Sequence, residues 1–266
     1  MFGFPKVQRQ EISQYKANFL RSVTLQFLFN PCESIVEDKE FIYERFKESL
    51  PRISNKNTQG LEISFNDSSK TPVFKPLTSS DKGLEFKSLD GNKVLEVSEN
   101  KIDLTIGGSV YKNFDSLNED INAIIDIINN SNIKIINRVA IRKLNIIEFN
   151  TGGVKTPPLE IVKLILNPNL LNGILLFPKS EKIFQNINTV NFIDGINRLN
   201  FIYGLIRKDD TANAGQILID IDLFKEGALI SNEIKTSLIE INEEIFNIFD
   251  WSICENAKAL LKQKNV

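Results

Sequence analysis

Two short runs, each alternating with apolar residues, carry the chemistry this sequence could offer. In Gln216-Ile-Leu-Ile-Asp-Ile-Asp-Leu-Phe224, Ile217, Ile219, Ile221 and Leu223 fall on one side of an extended chain, so Asp220 and Asp222 project together from the other. Roughly 7 Å apart along a strand, they could share a hard divalent cation, and Mg²⁺, which takes oxygen ligands and few protein carboxylates, is the ion that would suit them. The same pattern also fits an amphipathic strand whose carboxylates pair with basic groups across a sheet. In Asn137-Arg-Val-Ala-Ile-Arg-Lys-Leu-Asn145, Arg138 and Arg142 share a strand face and present two guanidinium forks that match carboxylate or phosphate. Arg138, Arg142 and Asn145 are therefore the candidate anion-binding residues, and Asp220 and Asp222 the candidate metal ligands. If the two runs pair, arginines and aspartates neutralise one another as structure. If they line a cleft, they bind a nucleotide, a phosphate or an acidic partner.

The rest of the composition narrows the chemistry sharply. No histidine occurs in the 266 residues, which removes histidine-based triads, HExxH zinc sites and histidine-dependent nucleases. Carboxylate, lysine, tyrosine or hard-cation chemistry is what survives. Cys32 and Cys254 lie far apart with no CxxC pair and no histidine base, so they read as small hydrophobes or incidental thiols. Gly107-Gly108 and Gly152-Gly153 follow strands, but neither belongs to GxGxxG or GxxxxGK[ST], and both read as turns. The 19 phenylalanines fall mostly on apolar strand and helix faces, as core. Thirty-two basic against 34 acidic residues give a net charge of −2, which supplies no global field for nucleic acid or an anionic membrane. The apolar runs are too short to span a bilayer, no N-terminal secretion signal is apparent, and a reducing cytoplasm suits the two cysteines.

The elements that must position these groups follow from periodicity. Val23, Leu25, Phe27 and Phe29 alternate with Thr24 and Gln26 up to Asn30-Pro31, a half-buried strand. A helix is predicted over Asp38 to Leu50, stopped by Pro51. Residues 52 to 82, rich in Ser, Asn, Lys, Thr and Pro, predict long exposed loops around one short strand, Leu61 to Phe65, with Asn66 to Lys82 the least ordered part. Three short strands come next, Leu84 to Leu89, Val94 to Ser98 and Ile102 to Ile106, with Asp90-Gly91-Asn92 as a hairpin signal. Ser116 and Glu119 suggest a capping box for a helix whose apolar face is Leu117, Ile121, Ile124, Ile125 and Ile128. Ile133 to Phe149 is a long strand whose alternation slips near Ile135-Ile136 and Ile146-Ile147. A helix over Leu159 to Leu166 and two long strands, Val190 to Ile206 and Gln216 to Phe224, precede a closing helix carrying Ile234, Leu238, Ile241, Ile245 and Ile248. That last stripe suits packing on a sheet better than a coiled coil, because Ser252 and Glu255 interrupt it.

Locally paired strands with inserted helices give an α+β protein, a mainly antiparallel sheet with helices on one face and a long C-terminal helix. A single domain over 1–266 is expected, with room for two tightly packed halves at about 19–150 and 156–266.

Several blocks, in order, resemble a sporadically distributed family of prokaryotic proteins of about this size and of unknown function. They are Gly83-Leu-Glu-Phe-Lys-Ser-Leu, Lys93-Val-Leu-Glu-Val-Ser-Glu-Asn-Lys-Ile-Asp-Leu-Thr105, Tyr111-Lys-Asn-Phe114, Asn137 to Asn145, and Ile217-Leu-Ile-Asp-Ile-Asp-Leu-Phe-Lys-Glu-Gly227. The family's central strand resembles an Arg, three residues, then Arg-Tyr-Ile-Asn-Arg. Arg138, Arg142 and Asn145 match it, while Lys143 stands for the tyrosine and Ile146 for the last arginine. The resemblance implies an accessory gene of the mobile or defence-associated kind and supplies no activity. The expected function is a non-catalytic interaction or regulatory protein that binds a protein partner, with a homo-oligomer open, no membrane, no nucleic acid and no cofactor. The alternative is a nucleotide- or anion-binding enzyme or sensor using Arg138 and Arg142, with Mg²⁺ on Asp220 and Asp222.

Overall fold

The computed structural model describes residues 1–8, 15, 17–65, 72–150, 158–171, 183, 185–207 and 214–263, with backbone alone at 56–65, 72–82, 158, 159 and 207. In chain order the elements are β1 (Leu20–Phe29), α1 (Ser34–Glu37), α2 (Lys39–Phe46), β2 (Arg52–Phe65), β3 (Pro72–Lys87), β4 (Lys93–Ser98), β5 (Lys101–Gly107) and α3 (Asn118–Asn130). They continue with β6 (Ile136–Asn150), α4 (Pro158–Ile165), β7 (Gln185–Asp194), β8 (Asn197–Arg207), β9 (Ala214–Leu229), α5 (Ile234–Ser252) and α6 (Glu255–Lys262). The nine strands form one sheet in the order β2-β3-β4-β5-β1-β6-β9-β8-β7. Every pairing is antiparallel.

Alternation along the strands decides where the core sits. Val23, Leu25, Phe27 and Phe29 of β1, Ile102, Leu104 and Ile106 of β5, and Ile217, Ile219, Ile221 and Leu223 of β9 are all buried on the face the helices cover. Ile234, Leu238, Ile241, Ile245 and Ile248 of α5 complete that layer, and α5 lies on β6 and β9. The isoleucine stripe therefore serves a sheet and not a coiled-coil seam. Packed this way, the buried residues form one core that runs through the whole sheet.

The strand order also shows a repeat. β1, a helical segment, a meander β2-β3-β4-β5 that returns to pair with β1, and α3 are succeeded by β6, α4, a meander β7-β8-β9 that returns to pair with β6, and α5. β1 and β6 meet at the centre of the sheet. The repeat divides just before β6, so the long central strand opens the second unit and does not close the first.

Several local expectations change. Outside 66–71, residues 52 to 82 are not loops around one short strand: β2 and β3 are 14 and 16 residues long and pair with each other along most of their length. Their polar composition hid them, because a ladder's backbone hydrogen bonds do not require apolar side chains. Of the segment expected to be least ordered, 66–71 lies outside the described residues and the remainder belongs to β3. The single strand expected over Val190 to Ile206 is a hairpin, with Asp194 opposite Asn197 and Gly195 at φ 59°. Glycine at the first central position of a two-residue turn is the signature of such a reversal, and the flanking Ile193 and Ile196 masked it. The helix expected over Asp38 to Leu50 is α2, which ends at Phe46, and the short α1 precedes it. The Ser116–Glu119 capping box does not form. Instead a short 3₁₀ turn precedes α3, and Asn113 accepts from the Ser116 amide and hydroxyl through its side-chain and backbone oxygens respectively. The slips read in the central strand correspond to register shifts near Ile136/Arg138 and opposite Leu20/Ser22. Residues 1–8 are less polar in role than in composition, since the Phe2 ring packs tilted on Phe192 and the Phe4 ring packs edge-to-face with Phe192 and Trp251. Gly152-Gly153 and 208–213 of the loop before β9 lie outside the described residues.

Gly107 ends β5 in a turn, its carbonyl accepting from Val110 and Tyr111, and at Gly108 the chain passes so close to β1 that a Cβ would collide with the Leu20 carbonyl. Gly108→Ala should therefore cost about 1–3 kcal/mol through forced displacement of backbone, measurable as a lower denaturation midpoint at unchanged m-value.

Candidate functional site

The arginine and aspartate runs meet on the face of the sheet opposite the helices. β6 and β9 are neighbours in a register that sets Arg142 across from Asp222, Ala140 across from Phe224 and Arg138 across from Glu226. Each guanidinium reaches diagonally. Arg142 donates from Nε and Nη2 to the two oxygens of Asp220 at 2.9 and 2.6 Å. Arg138 lies over the Phe224 ring, 3.6 Å from its centroid, and donates from Nη2 to both oxygens of Asp222 at 2.9 Å. Small Ala140 leaves room for this path. Asn200 of β8, directly opposite Asp222, adds a third donor at 3.0 Å. The Asp220 side chain is 5% exposed beneath an Arg142 side chain that is 54% exposed, so Arg142 acts as a lid over the carboxylate. The hydrogen bonds to Asp220 hold the Arg142 guanidinium above its ordinary pKa.

These geometries use up the chemistry read from sequence. Both carboxylates are occupied by guanidinium forks, and a cation would have to displace them. Among the described residues no cluster of three or more His, Cys, Asp or Glu side chains could hold a metal. The arginine forks are turned onto aspartates within their own sheet. Asn145, grouped with the arginines in sequence, is not brought to them. It is three residues from Arg142, so it stands on the other face, buried, donating to the Ile219 carbonyl at 3.2 Å. The two thiols are likewise apart and unbridged, Cys32 bonded to the Ser131 carbonyl and Cys254 to the Leu164 carbonyl.

A residue of β6 not singled out as a site lies beside Asn145 in a cavity of about 480 Å³. Lys143 stands on the helix-covered face between Val23 of β1 and Ile221 of β9. Its ammonium donates to Asn242 Oδ1 of α5 at 2.7 Å and lies 5.6 Å from the centroid of the Tyr111 ring. Phe114, Phe246 and Phe249 line the same space. Burial pulls the Lys143 amine down to about 8 and pushes the Tyr111 phenol above its usual range. Two other described lysines on this face, Lys93 and Lys225, each meet a carboxylate from the helix above, Asp120 at 2.6 Å and Glu240 at 2.5 Å. Lys143 meets an amide instead. The sequence signal was present: Lys143 shares the parity of Val139 and Ile141, which puts a lysine on a buried apolar row.

No protein-family model matches the chain, and no curated protein matches it.

Arg142→Ala should destabilise the protein by about 1.5–3 kcal/mol, because it leaves Asp220 buried and unpaired, and Mg²⁺ should leave the melting temperature of the native protein unchanged. Calorimetric melts with and without the salt check both. Lys143 makes a separate prediction. Its folded pKa lies below the ordinary 10.5, so between about 8 and 10.5 the unfolded chain binds more protons. Its contribution therefore makes stability rise with pH through that window, and the rise should be smaller in Lys143→Met, compared by denaturant titration at several pH values.

Proposed function

We propose that the protein acts by binding rather than by catalysis, as an interaction or regulatory component of an accessory gene set whose partner is another protein. The observation that carries this reading is the sheet edge at β7. Gln185–Asp194 is ten residues long, has a single charge, Asp194 at its end, and contains no lysine or proline. Long edges are ordinarily blunted by those devices, and among the described residues no further strand pairs there. At the tip of the same hairpin Ile193 is 73% and Ile196 47% exposed. An extended segment of a partner added there gains main-chain hydrogen bonds from the edge and specificity from such side chains.

The open face of the sheet supports a protein partner over nucleic acid. Five of its described basic groups are matched locally: Lys87 with Glu85, Lys101 with Asp103, Arg138 with Asp222, Arg142 with Asp220 and Arg198 with Glu226. Phosphate backbones are held by unneutralised basic stripes, which these pairs do not supply. The same pairing disfavours the alternative of a nucleotide-binding enzyme or sensor built on Arg138 and Arg142 with Mg²⁺ on Asp220 and Asp222. No helix of the described residues is long and apolar enough to cross a membrane, and a cytoplasmic setting suits the two free thiols.

The test is to place charge on the edge. Val190→Lys/Ile193→Lys, expressed with an affinity tag in the native host beside the unaltered protein, should keep its melting temperature within a few degrees and lose a partner that the unaltered protein retains. Retention of the same partner by both would remove β7 as the binding edge. A dimer of the unaltered protein that becomes monomeric in the variant, by sedimentation, would identify the partner strand as a second copy of this chain.

A further inference from the structure

We infer that the cavity at Lys143 is a binding site for a small organic monocarboxylate with an aromatic or branched apolar body. It lies on the helix-covered face, away from the β7 edge, and stands independently of the partner-binding reading.

An ammonium group taken from water must recover its hydration from neighbours, and three N–H donors ask for more than one acceptor. Lys93 and Lys225 show how this fold ordinarily meets that demand, with a carboxylate from the covering helix. α5 provides Glu240 for Lys225, yet opposite Lys143 it provides Asn242, a neutral group that accepts one bond at 2.7 Å. Among the described residues Lys143 makes no ion pair, and its depressed pKa has burial as its cause. A bound carboxylate supplies the missing charge.

The surroundings define the rest of the ligand. About 480 Å³ falls within the range of small-molecule sites, roughly 300–1,000 Å³. Phe114, Phe246 and Phe249 offer an apolar wall, while the side chains of Asn18, Asn113 and Asn242 are neutral and suit hydrogen-bonding substituents. Of the two lysines among the lining residues Lys112 is exposed and Lys143 half-buried, and no arginine is present; a single inward ammonium matches one carboxylate better than a polyphosphate, which draws several cations or a guanidinium fork. The other titratable groups facing the space are Tyr111 and Lys112 on the link between β5 and α3, and Tyr15, whose hydroxyl donates to Asp250 of α5. Tyr111 is held neutral by burial well above the pH at which Lys143 loses its proton. Anion affinity should therefore fall as pH rises through about 8, in step with the amine.

The experiment is a thermal-shift and calorimetric titration of the full chain with benzoate, phenylacetate, indole-3-acetate and isovalerate, against benzyl alcohol, phenyl phosphate and inorganic phosphate as controls. At least one carboxylate is expected to bind and raise the melting temperature while benzyl alcohol does not, with affinity falling as pH rises through about 8. Lys143→Met should lose at least about tenfold in that affinity, and Asn242→Asp, which gives Lys143 its own carboxylate, should stay folded and lose it as well. If no carboxylate of the panel binds the native protein, or if binding survives unchanged in Asn242→Asp, the inference is overturned. Stronger binding of phenyl phosphate than of every carboxylate overturns the carboxylate assignment, and binding of inorganic phosphate alone overturns the apolar body.

Discussion

The register of β6 between β1 and β9 is the constraint on which the rest depends. β6 is paired on both sides, and its side chains leave alternately toward the helices and toward the open face. Val139 and Ile141 are buried on the helix side, and that burial pins the strand. A slip of one residue would drive Arg138 and Arg142 into the apolar core and expose the isoleucine row, at a cost no surface interaction could offset. Everything polar on β6 is placed by this apolar choice.

Two chemically different surfaces result from one strand. On the open face, arginines and aspartates from adjacent strands neutralise each other, and the Phe224 ring beneath Arg138 keeps the guanidinium flat. The interaction is self-contained and leaves little net charge at the centre of that face. On the covered face, Lys143 stands where a hydrophobe would serve packing better, and its nearest acceptor is an amide. A half-buried charge without a counter-charge is the kind of local inconsistency that folds accumulate at functional positions. The contrast with Lys93 and Lys225, each paired to an acid from a helix, makes the omission specific to one place.

The sheet's two ends and its centre have different tasks. The centre, β1 against β6, joins two successive runs of strand, helix, returning meander and helix, and the core passes through it without a break. The β7 end is open and almost uncharged. The cavity at Lys143 and the β7 edge are joined through α5 and β9, since α5 lies on β6 and β9, and β9 leads to β7 through β8.

Much of this is legible along the chain itself. Alternation identifies β1, β4, β5 and β9, the 3.6-residue stripe identifies α3 and α5, and the missing histidines limit the chemistry, because each of these signals is local in sequence. Where local signals are weak, legibility fails. Over 52–60 and 72–82 the strands β2 and β3 carry no apolar alternation, and Gly195 lies hidden close to two isoleucines. The grouping of Asn145 with the arginines fails for a related reason. Arg138, Arg142 and Asn145 are close along the chain, and proximity in sequence says nothing about which face a side chain takes until the buried row is known. Sequence by itself determined the α+β class, the antiparallel habit and the groups available for chemistry, since these rest on periodicity and composition. Only the tertiary structure decided that β9 lies beside β6, that its aspartates consume the arginines, and that α5 sets an asparagine and not an acid above Lys143, because strand order and helix placement are settled by the shared burial of residues far apart in the chain.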